Sequence, residues 1–480
     1  MMPRRRSFGR SVLALAGGGL AAQAVVFLAR PVLTRMYSPE AWGEVGVFLA
    51  LASGLAMLAT LRYDDAILLP ESDAEARPVL ALTWGAALVV CGLAGLAVLP
   101  REAIATALGV PGLAPWVPWI PLVALLYAYG NGAQAWMSRE HAFTLVALAI
   151  ATQSLATVGV QLGAAGHPAG ALLDDGGGLV LGVTAGAIGF ALVLAIPVLQ
   201  RGALRDLSPT SVASAARRYA RFPRLGLPAT VLGQIGSRLP PLVLGAAFGA
   251  EVVGQFGLAA MAVLVPLAFV ADAVGQVYGV HAAEAARAGT LRSLTATTLR
   301  RLLGFVLYPI TAVALVGPTL FALVFGEVWG TAGAYARALA PWLLLAVLVP
   351  PLTRAFDATE RQDRELRASV WSAGGVLLGL GLGAWAGSPS AAVFALGLAG
   401  AMGRLGQAAH ALGVAGVGLS ESVRLARGPA SRTLVCIAPA AALAAMGRYE
   451  LALGAAVAGG LVNAAWAYRA EGGLRGSSGT

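Results

Sequence analysis

Long apolar stretches, separated by short polar connectors, run along the whole 480-residue chain. Most of them hold about 20 residues, which is the length that an α-helix needs to cross a bilayer. The pattern therefore predicts an all-α polytopic membrane protein with about 14 transmembrane helices. The predicted spans are 11–33, 42–61, 78–99, 117–137, 142–165, 178–198, 223–247, 252–278, 301–325, 335–356, 368–386, 391–418, 433–447 and 450–468.

Three places in this pattern leave alternatives open. The first span follows Arg4, Arg5 and Arg6, as in the positive region of a signal peptide, but it is long enough to cross and is predicted to stay uncleaved. The span 433–447 is short, and a protein of twelve helices would lack the last pair. The basic connector 281–301 could lie along the membrane surface as an amphipathic helix.

Arginine is distributed unequally between alternate connectors. All 33 basic residues of the chain are arginine. If both termini lie on one side, 26 of the 33 fall at the termini and in the even-numbered connectors, five fall near the odd-numbered connectors, and Arg238 and Arg404 fall inside spans. Short cytoplasmic loops of membrane proteins retain positive charge. We therefore predict that the arginine-rich side, with both termini, is cytoplasmic.

The composition excludes several other classes of protein. Hydrophobic residues make up 58% of the chain and charged residues 12%, whereas soluble domains average about 25% charged residues. The net charge of +10 is spread over many connectors and forms no single basic face, so we expect no nucleic-acid partner. Cys91 and Cys436 lie in apolar spans and predict neither a disulfide nor a metal site. No Walker A motif occurs, and no cofactor is predicted.

The chain contains an internal echo at an offset of 211 residues. Residues 40–46 and 251–257 share the pattern Glu-x-x-Gly-x-x-Gly, and Gln23 of the first span recurs as Gln234 of the seventh. Six spans separate the copies, so both halves have the same orientation, as in transporters that bind substrate between their halves. The predicted domains are an N-terminal six-helix lobe (1–200), a cytoplasmic linker (201–222), a second, pseudo-symmetric six-helix lobe (223–418), and an additional two-helix segment with a cytoplasmic tail (419–480).

A charged residue within a span is a candidate for function, because it costs at least about 2.5 kcal/mol at the bilayer centre. Arg238 lies midway along the seventh span and precedes Pro240 and Pro241, which are expected to open the helix. A hydrated helix with a cation would suit an anionic substrate. The alternative is a buried arginine paired to a carbonyl or an acid.

Three other charged residues leave similar alternatives. Arg30 either contacts substrate or reaches the outer headgroups. Asp272 is a candidate for ion coupling, a candidate partner of Arg238, or a satisfied interior acid. Arg404 is interpreted as a packing or pairing residue.

Uncharged polar side chains in the spans provide hydrogen-bonding groups of the kind that bind sugars. The same side chains also join transmembrane helices by hydrogen bonds, which is an equally good interpretation of each one alone. The candidates are Gln23, Asn131, Gln134 and Gln234.

The pair Asp64 and Asp65 follows Arg62 just after the second span. Two carboxylates beside a membrane can hold a divalent ion, but an enzyme would need a second acidic cluster to complete the site. We therefore predict no catalytic residues and no metal site, and we keep a membrane-bound glycan-processing enzyme only as an alternative.

Several segments carry a family resemblance. Residues 37–43 read YSPEAWG, residues 61–70 read LRYDDAILLP, and residues 325–333 read FGEVWGTAG. Together with residues 222–277, they resemble the polysaccharide exporter or O-antigen flippase-like (Wzx-type) family of the multidrug/oligosaccharidyl-lipid/polysaccharide (MOP) exporter superfamily. The resemblance covers about residues 8–365.

This resemblance implies two six-helix lobes around a central cavity and two extra helices. It implies translocation of an undecaprenyl-pyrophosphate-linked oligosaccharide across the bacterial inner membrane by alternating access, for surface polysaccharide or lipopolysaccharide biosynthesis. The implied partners are that glycan lipid, membrane lipids, and the polymerase and glycosyltransferases of the pathway. Met261 and Ala262 stand where relatives often have a polar or basic residue. The resemblance puts in or near the pathway Gln23, Arg30, Arg62, Gln234, Arg238 and Asp272.

Two other transporters of the superfamily remain open. A cation-coupled multidrug antiporter would need acidic residues in its cavity, and Asp272 is the one good candidate. A lipid II flippase would use the same cations for a related lipid pyrophosphate. If the protein were only a structural membrane scaffold, an arginine within the seventh span would have no function.

Overall fold

The computed structural model describes residues 24–166, 176–359 and 361–476, and within these ranges every regular element is helical. Gln23, one of the predicted site residues, lies outside the described residues. Single 3₁₀ or π turns occur at Pro111–Trp116, Phe222–Gly226 and Glu327–Trp329. The helices are α1 (24–36), α2 (Pro39–Ala59), α3 (Tyr63–Ala66), α4 (Asp73–Ala97), α5 (Arg101–Ala107), α6 (Trp119–Arg139), α7 (Phe143–Gly166), α8 (Gly177–Gln200), α9 (Pro209–Arg218), α10 (Leu227–Phe248), α11 (Ala250–Arg287), α12 (Leu291–Phe325), α13 (Gly330–Ala358), α14 (Gln362–Ala386), α15 (Pro389–Val414), α16 (Leu419–Ala445) and α17 (Tyr449–Gly476).

The predicted all-α membrane class is confirmed. Each predicted span coincides, wholly or in part, with a helix of the described residues. Ten of these helices are long and apolar enough to cross a membrane, so the exact number of 14 spans stays a prediction. The short span 433–447 lies in α16, a helix of 27 residues that is among the ten.

The connector 281–301 does not form a separate surface helix, so that expectation was wrong. Helix α11 continues to Arg287, and α12 begins at Leu291. The sequence from His281 to Arg287 is rich in alanine, which favours continuation of a helix. Gly289, with φ of 71°, provides the left-handed conformation at which the chain reverses.

The chain forms two compact units, Met1–Gly254 and Gln255–Thr480. This division into units does not test the predicted boundaries of the lobes and the linker, which stay a prediction. In the first unit α2 packs against α4, α6, α8 and α10, and α7 packs against α8. Trp84 of α4 stacks on Tyr129 of α6, with ring centroids 5.2 Å apart, and its Nε1 donates to the Tyr129 carbonyl at 3.1 Å. Buried aromatic rings therefore fix the helices that surround α2.

In the second unit α13 packs against α12 and α15, and α14 packs against α15. The last two helices, α16 and α17, pack on each other and on α12. The Tyr308 hydroxyl of α12 donates to the Ala456 carbonyl of α17 at 2.6 Å. Helix α12 is kinked at Val316, where φ is −115° and ψ is 15°, two residues before Pro318. The kink follows from the ring of proline, which disrupts the preceding turn.

The start of α2 crosses the start of α11 at very short range. A Cβ atom at Gly43 would overlap the carbonyl oxygen of Ala250, and a Cβ atom at Gly254 would overlap the carbonyl oxygen of Pro39. Small residues allow backbones of membrane helices to approach in this way. The offset of 211 relates Pro39 to Ala250 and Gly43 to Gly254, so the contact is reciprocal, as in an interface with twofold symmetry. This reciprocity supports the echo seen in the sequence.

We expect Gly43→Ala and Gly254→Ala each to lower the stability of the protein by about 1–3 kcal/mol, because the added methyl group has no room without a shift of backbone. The measurement is the thermal unfolding midpoint of the purified protein in detergent. Gly85→Ala in α4 is the matched control, because nothing lies within 4 Å of its added Cβ. An unchanged midpoint for Gly43→Ala would contradict the close crossing.

Candidate functional site

Helix α10 carries a stripe of polar side chains along one face. Thr230, Gln234 and Arg238 follow one another at intervals of four residues, which places them on the same face over about 12 Å. Gln234 is held by its neighbour Ser237, whose hydroxyl donates to Gln234 Oε1 at 2.8 Å. A π-helical turn, Phe222–Gly226, leads into α10. The stripe therefore runs from the first turn of α10 to the middle of the helix.

The Arg238 side chain is half-buried, and its charge has no carboxylate partner among the described residues of the first unit. Its Cδ lies beside Gly54 of α2, 4.0 Å from the position of an added Cβ. Its Nε is buried without an acceptor. The neighbouring polar group is Tyr127 of α6, which interacts electrostatically with the guanidinium. Of the two interpretations, pairing with an acid therefore finds no partner among residues 24–166 and 176–254.

The two prolines after Arg238 do not interrupt the helix, contrary to the expected opening. Helix α10 continues from Leu227 to Phe248 through Pro240 and Pro241. Each proline lacks the N–H that would bond the carbonyl four residues earlier. The carbonyls of Gly236 and Ser237 thus lose their helical donors, and both lie next to Arg238 in the chain.

Helix α6 brings a second polar face to the same region. Tyr127, Asn131 and Gln134 are spaced by four and three residues and so share one side of the helix. The Tyr127 hydroxyl is hydrogen-bonded to the side chain of Gln153 on α7. The sequence analysis predicted Asn131 and Gln134 but missed Tyr127 and Gln153. The position of Tyr127 one turn before Asn131 was the signal that could have found it.

Arg62 lies in the turn between α2 and α3 and connects this turn to α10. Its Nη1 donates to Thr230 Oγ1 at 2.6 Å, and its Nη2 forms an ion pair with Asp65 Oδ2 at 2.5 Å. Leu61 and Arg62 have φ values of 50° and 64°. This left-handed conformation costs roughly 1–2 kcal/mol per non-glycine residue. The contacts of Arg62 therefore hold a strained turn against the end of the α10 stripe.

Asp64, in the same turn, is less well satisfied than Asp65. Its Oδ1 is buried without a hydrogen-bond partner. Burial raises the pKa of the Asp64 carboxyl and the adjacent Asp65 raises it further, while a hydrogen bond with Thr60 and the charge of Arg62 act in the opposite direction. Within the described ranges, no three His, Cys, Asp or Glu side chains cluster as metal ligands.

Arg30 lies at the other end of α2 from Arg62. Its guanidinium carbon is 4.4 Å from the ring centroid of Trp42, a cation–π contact. Trp42 is in the first turn of α2 and Arg62 follows its last turn, so about 30 Å of helix separates them. One pyrophosphate group is far shorter than this. The structure thus brings Arg62, Gln234 and Arg238 to one side of the first unit and leaves Arg30 apart from Arg62.

Two further predicted residues lie in the second unit. Asp272 has an exposed side chain on α11, one turn before the exposed Gln276. Its coupling role stays a prediction. Arg404 of α15 donates through Nη1 to Gln407 Oε1 at 2.8 Å, which agrees with its interpretation as a pairing residue. Cys91 and Cys436 are both buried and free.

The arrangement of helices is that of the transporters of the MOP superfamily. It is similar to the lipid II flippase MurJ in an inward closed conformation, with a TM-score of 0.69 at 12% identity, over 95% of this chain and 98% of that one. It is also similar to an inward-facing multidrug resistance MATE family transporter, with a TM-score of 0.61 at 16% identity, over 85% of this chain and 98% of that one. A MOP superfamily transporter from Pyrococcus furiosus gives a TM-score of 0.52 at 16% identity, over 86% of this chain and 95% of that one. At such identities the similarity shows the fold.

The sequence identifies the family. The family model described as "Polysaccharide biosynthesis protein" matches residues 8–278, which is more than half of the chain. The chain therefore belongs to the polysaccharide biosynthesis protein family, and the predicted resemblance to polysaccharide exporters of the MOP superfamily is confirmed. No protein of curated function matches the chain significantly.

Substitution of the two carboxylates beside Arg62 should change the stability of the protein in opposite directions. We expect Asp64→Asn to raise the thermal unfolding midpoint at neutral pH, because an acid whose pKa is raised by folding destabilises the folded state wherever the unfolded chain would be ionised. The gain should shrink as the pH falls toward about 3.9, the ordinary value for aspartate. Asp65→Asn should cost about 0.5–1 kcal/mol through loss of its ion pair.

Thermal unfolding midpoints of the two variants and of the unchanged protein, recorded from about pH 5 to about pH 8, measure both effects. If Asp64→Asn lowers the midpoint at neutral pH as much as Asp65→Asn does, the assignment of the buried, unpartnered carboxyl to Asp64 is wrong.

Proposed function

We propose that this protein is a flippase that translocates an undecaprenyl-pyrophosphate-linked oligosaccharide across the bacterial cytoplasmic membrane for surface polysaccharide biosynthesis. The observation that carries the proposal is the guanidinium of Arg238, which lies half-buried midway along α10 and has no carboxylate partner among the described residues of the first unit. A cation that the protein leaves uncompensated in a membrane helix attracts an anion. The pyrophosphate of a lipid-linked glycan supplies that anion.

The polar faces of α6 and α10 support a glycan as the other part of the substrate. Amide and hydroxyl groups bind sugars through paired donors and acceptors. Gln234 provides such a group one turn before Arg238, and Asn131 and Gln134 provide others on the face of α6 that carries Tyr127. Arg62 stands at the end of the same stripe. In this proposal Arg62 meets the pyrophosphate at the arginine-rich face of the membrane, and Arg238 receives it further in. Arg30 would contact it only later, near the opposite face, and Gln23 would belong to the same pathway.

The proposal includes the orientation and the driving force. Both termini and the arginine-rich connectors face the cytoplasm, in keeping with the charge rule for short loops. Inward and outward openings of the two predicted lobes alternate around the substrate. Asp272, an exposed acid on a membrane helix, is our choice for proton or cation coupling.

A lipid II flippase is the second candidate function, and the similarity of the fold to MurJ favours it. Lipid II also carries a pyrophosphate, so the same cations would serve it. A multidrug antiporter would prefer acidic groups at the site, whereas the stripe on α10 is cationic and uncharged polar. Deletion of the gene distinguishes the candidates. Lipid-linked repeat units that accumulate on the cytoplasmic face, with loss of surface polysaccharide, support our proposal, whereas an arrest of peptidoglycan synthesis supports a lipid II flippase.

We expect Arg238→Gln to reduce export roughly tenfold or more. A hydrogen bond to a charged group contributes about 1.5–3 kcal/mol, and about 1.4 kcal/mol corresponds to a factor of ten. Arg238→Lys keeps the charge and should retain part of the activity. Surface glycan per cell, normalised to the amount of membrane-inserted protein, is the measurement.

Arg404→Gln is the matched control for Arg238→Gln, because Arg404 is also an arginine inside an apolar helix but is bonded to Gln407. Its variant should keep export near the original level whenever the protein is inserted normally. Normal surface glycan in both Arg238→Gln and Arg238→Ala, at normal protein levels, would show that Arg238 does not bind the pyrophosphate.

We expect Asp272→Asn to abolish the dependence of transport on an ion gradient while leaving substrate binding unchanged, because the amide cannot exchange a proton. Asp272→Glu should restore part of the dependence. Translocation of a fluorescent lipid-linked oligosaccharide in proteoliposomes, with and without an imposed proton or sodium gradient, measures this. A gradient response of the Asn variant equal to that of the unchanged protein would exclude Asp272 as the coupling site.

A further inference from the structure

A large cavity lies between α12, α16 and α17 of the second unit, away from the residues described above. Its volume is about 730 Å³. Three arginines line it, Arg300 and Arg301 from α12 and Arg432 from α16, and no acidic residue is among the lining side chains. The cavity therefore carries a positive charge that no lining side chain compensates.

Arg432 is fixed in place by groups that do not neutralise it. Its Nε donates to Asn463 Oδ1 at 3.0 Å, and its Nη2 donates to the Gly304 carbonyl at 3.0 Å. Asn463 is buried, with 5% of its surface exposed. A guanidinium has five N–H donors, so these two bonds leave others for a ligand. Both acceptors are uncharged, and the full positive charge of Arg432 remains.

Arg300 and Arg301 stand at the rim of the cavity. Both are exposed, and neither forms a hydrogen bond or ion pair within the described ranges. Arg292, one turn or more earlier on α12, is by contrast paired with Glu421 at 2.8 Å. The neighbouring arginine of this helix is thus neutralised, while the two that line the cavity are not.

The opposite wall of the cavity is aromatic and open to the outside of the bundle. Phe305 is 41% exposed, Trp466 47% and Tyr468 83%. Trp466 and Tyr468 lie at the end of the apolar part of α17, which runs from Tyr449 to Arg469. Tryptophan and tyrosine concentrate at this depth of membrane helices because their rings sit at the level of the headgroups. An amphiphilic ligand fits this cavity, because its anionic group can contact the arginines and its apolar part can contact the exposed aromatic rings.

We propose that this cavity binds the headgroup of an anionic phospholipid of the surrounding bilayer. The lipid phosphate accepts hydrogen bonds from Arg432 and ion pairs with Arg300 and Arg301, and its acyl chains run over Phe305 and Trp466. Basic pockets between membrane helices bind such headgroups. The lipid fills the cleft between α12 and the last two helices and so stabilises the packing of that helix pair. The inference does not depend on which substrate the protein translocates.

The test is binding of cardiolipin and phosphatidylglycerol to the purified full-length protein, by native mass spectrometry and by the lipid-dependent rise of the thermal unfolding midpoint. The double variant Arg300→Gln, Arg301→Gln should lower the affinity for both lipids at least tenfold. The matched control, Arg424→Gln with Arg427→Gln, removes two exposed charges from α16 outside the cavity and should bind as the unchanged protein does. Arg432→Gln should abolish binding. The double variant of the rim, Arg300→Gln with Arg301→Gln, decides the test, because these two side chains form no hydrogen bond or ion pair within the described ranges.

Four results would overturn the proposal. The first is equal loss of affinity in the rim variant and in the α16 control, which would indicate general charge attraction. The second is equal binding of phosphatidylcholine, which carries no net charge. The third is displacement of the lipid by millimolar inorganic phosphate, which would indicate a site for a soluble anion. Displacement by undecaprenyl phosphate but not by cardiolipin would likewise overturn it, by assigning the cavity to the transported lipid.

Discussion

A positive charge held inside an apolar helical bundle without a carboxylate partner is the constraint on which the candidate site depends. Arg238 costs free energy in a membrane unless polar groups surround it. Tyr127 of α6 interacts electrostatically with this charge, and no carboxylate pairs with it in the described part of the first unit. In the function that we propose, an anion of the substrate supplies the missing compensation.

This arrangement requires that α10 be held firmly against α2, since Arg238 lies beside Gly54. The strained turn after α2 is bound to α10 by the hydrogen bond between Arg62 and Thr230. The start of α2 also crosses the start of α11, which follows α10 directly in the chain, through Gly43 and Gly254. The first contact is polar and lies at the arginine-rich end, whereas the second is a backbone contact at the other end.

The arginines of this chain differ in the groups that surround them. Most of those at the connectors are exposed, and several are paired with acids, as Arg139 is with Asp73 at 3.0 Å and Arg218 with Glu75 at 3.0 Å. Arg432 is instead held by the uncharged Asn463 side chain and the Gly304 carbonyl, and Arg238 has no carboxylate partner among the described residues of the first unit. In our proposals the surface arginines set the orientation and these two bind a ligand, and the difference lies in the neighbouring groups.

Hydropathy is a property of consecutive residues, so the sequence by itself determined the all-helical membrane class, the approximate positions of the long apolar helices and the residues that break the apolar pattern. The spacing of Asn131, Gln134 and Gln234 on helices could be derived in the same way. The sequence could not reveal that Tyr127 meets Arg238, that Arg62 bonds Thr230, or that Arg30 and Arg62 lie at opposite ends of α2. Those pairs join helices that are far apart in the chain, and only the packing of side chains in three dimensions decided them. Pro240 and Pro241 show the same limit, because they predict an opened helix, whereas α10 continues through both of them.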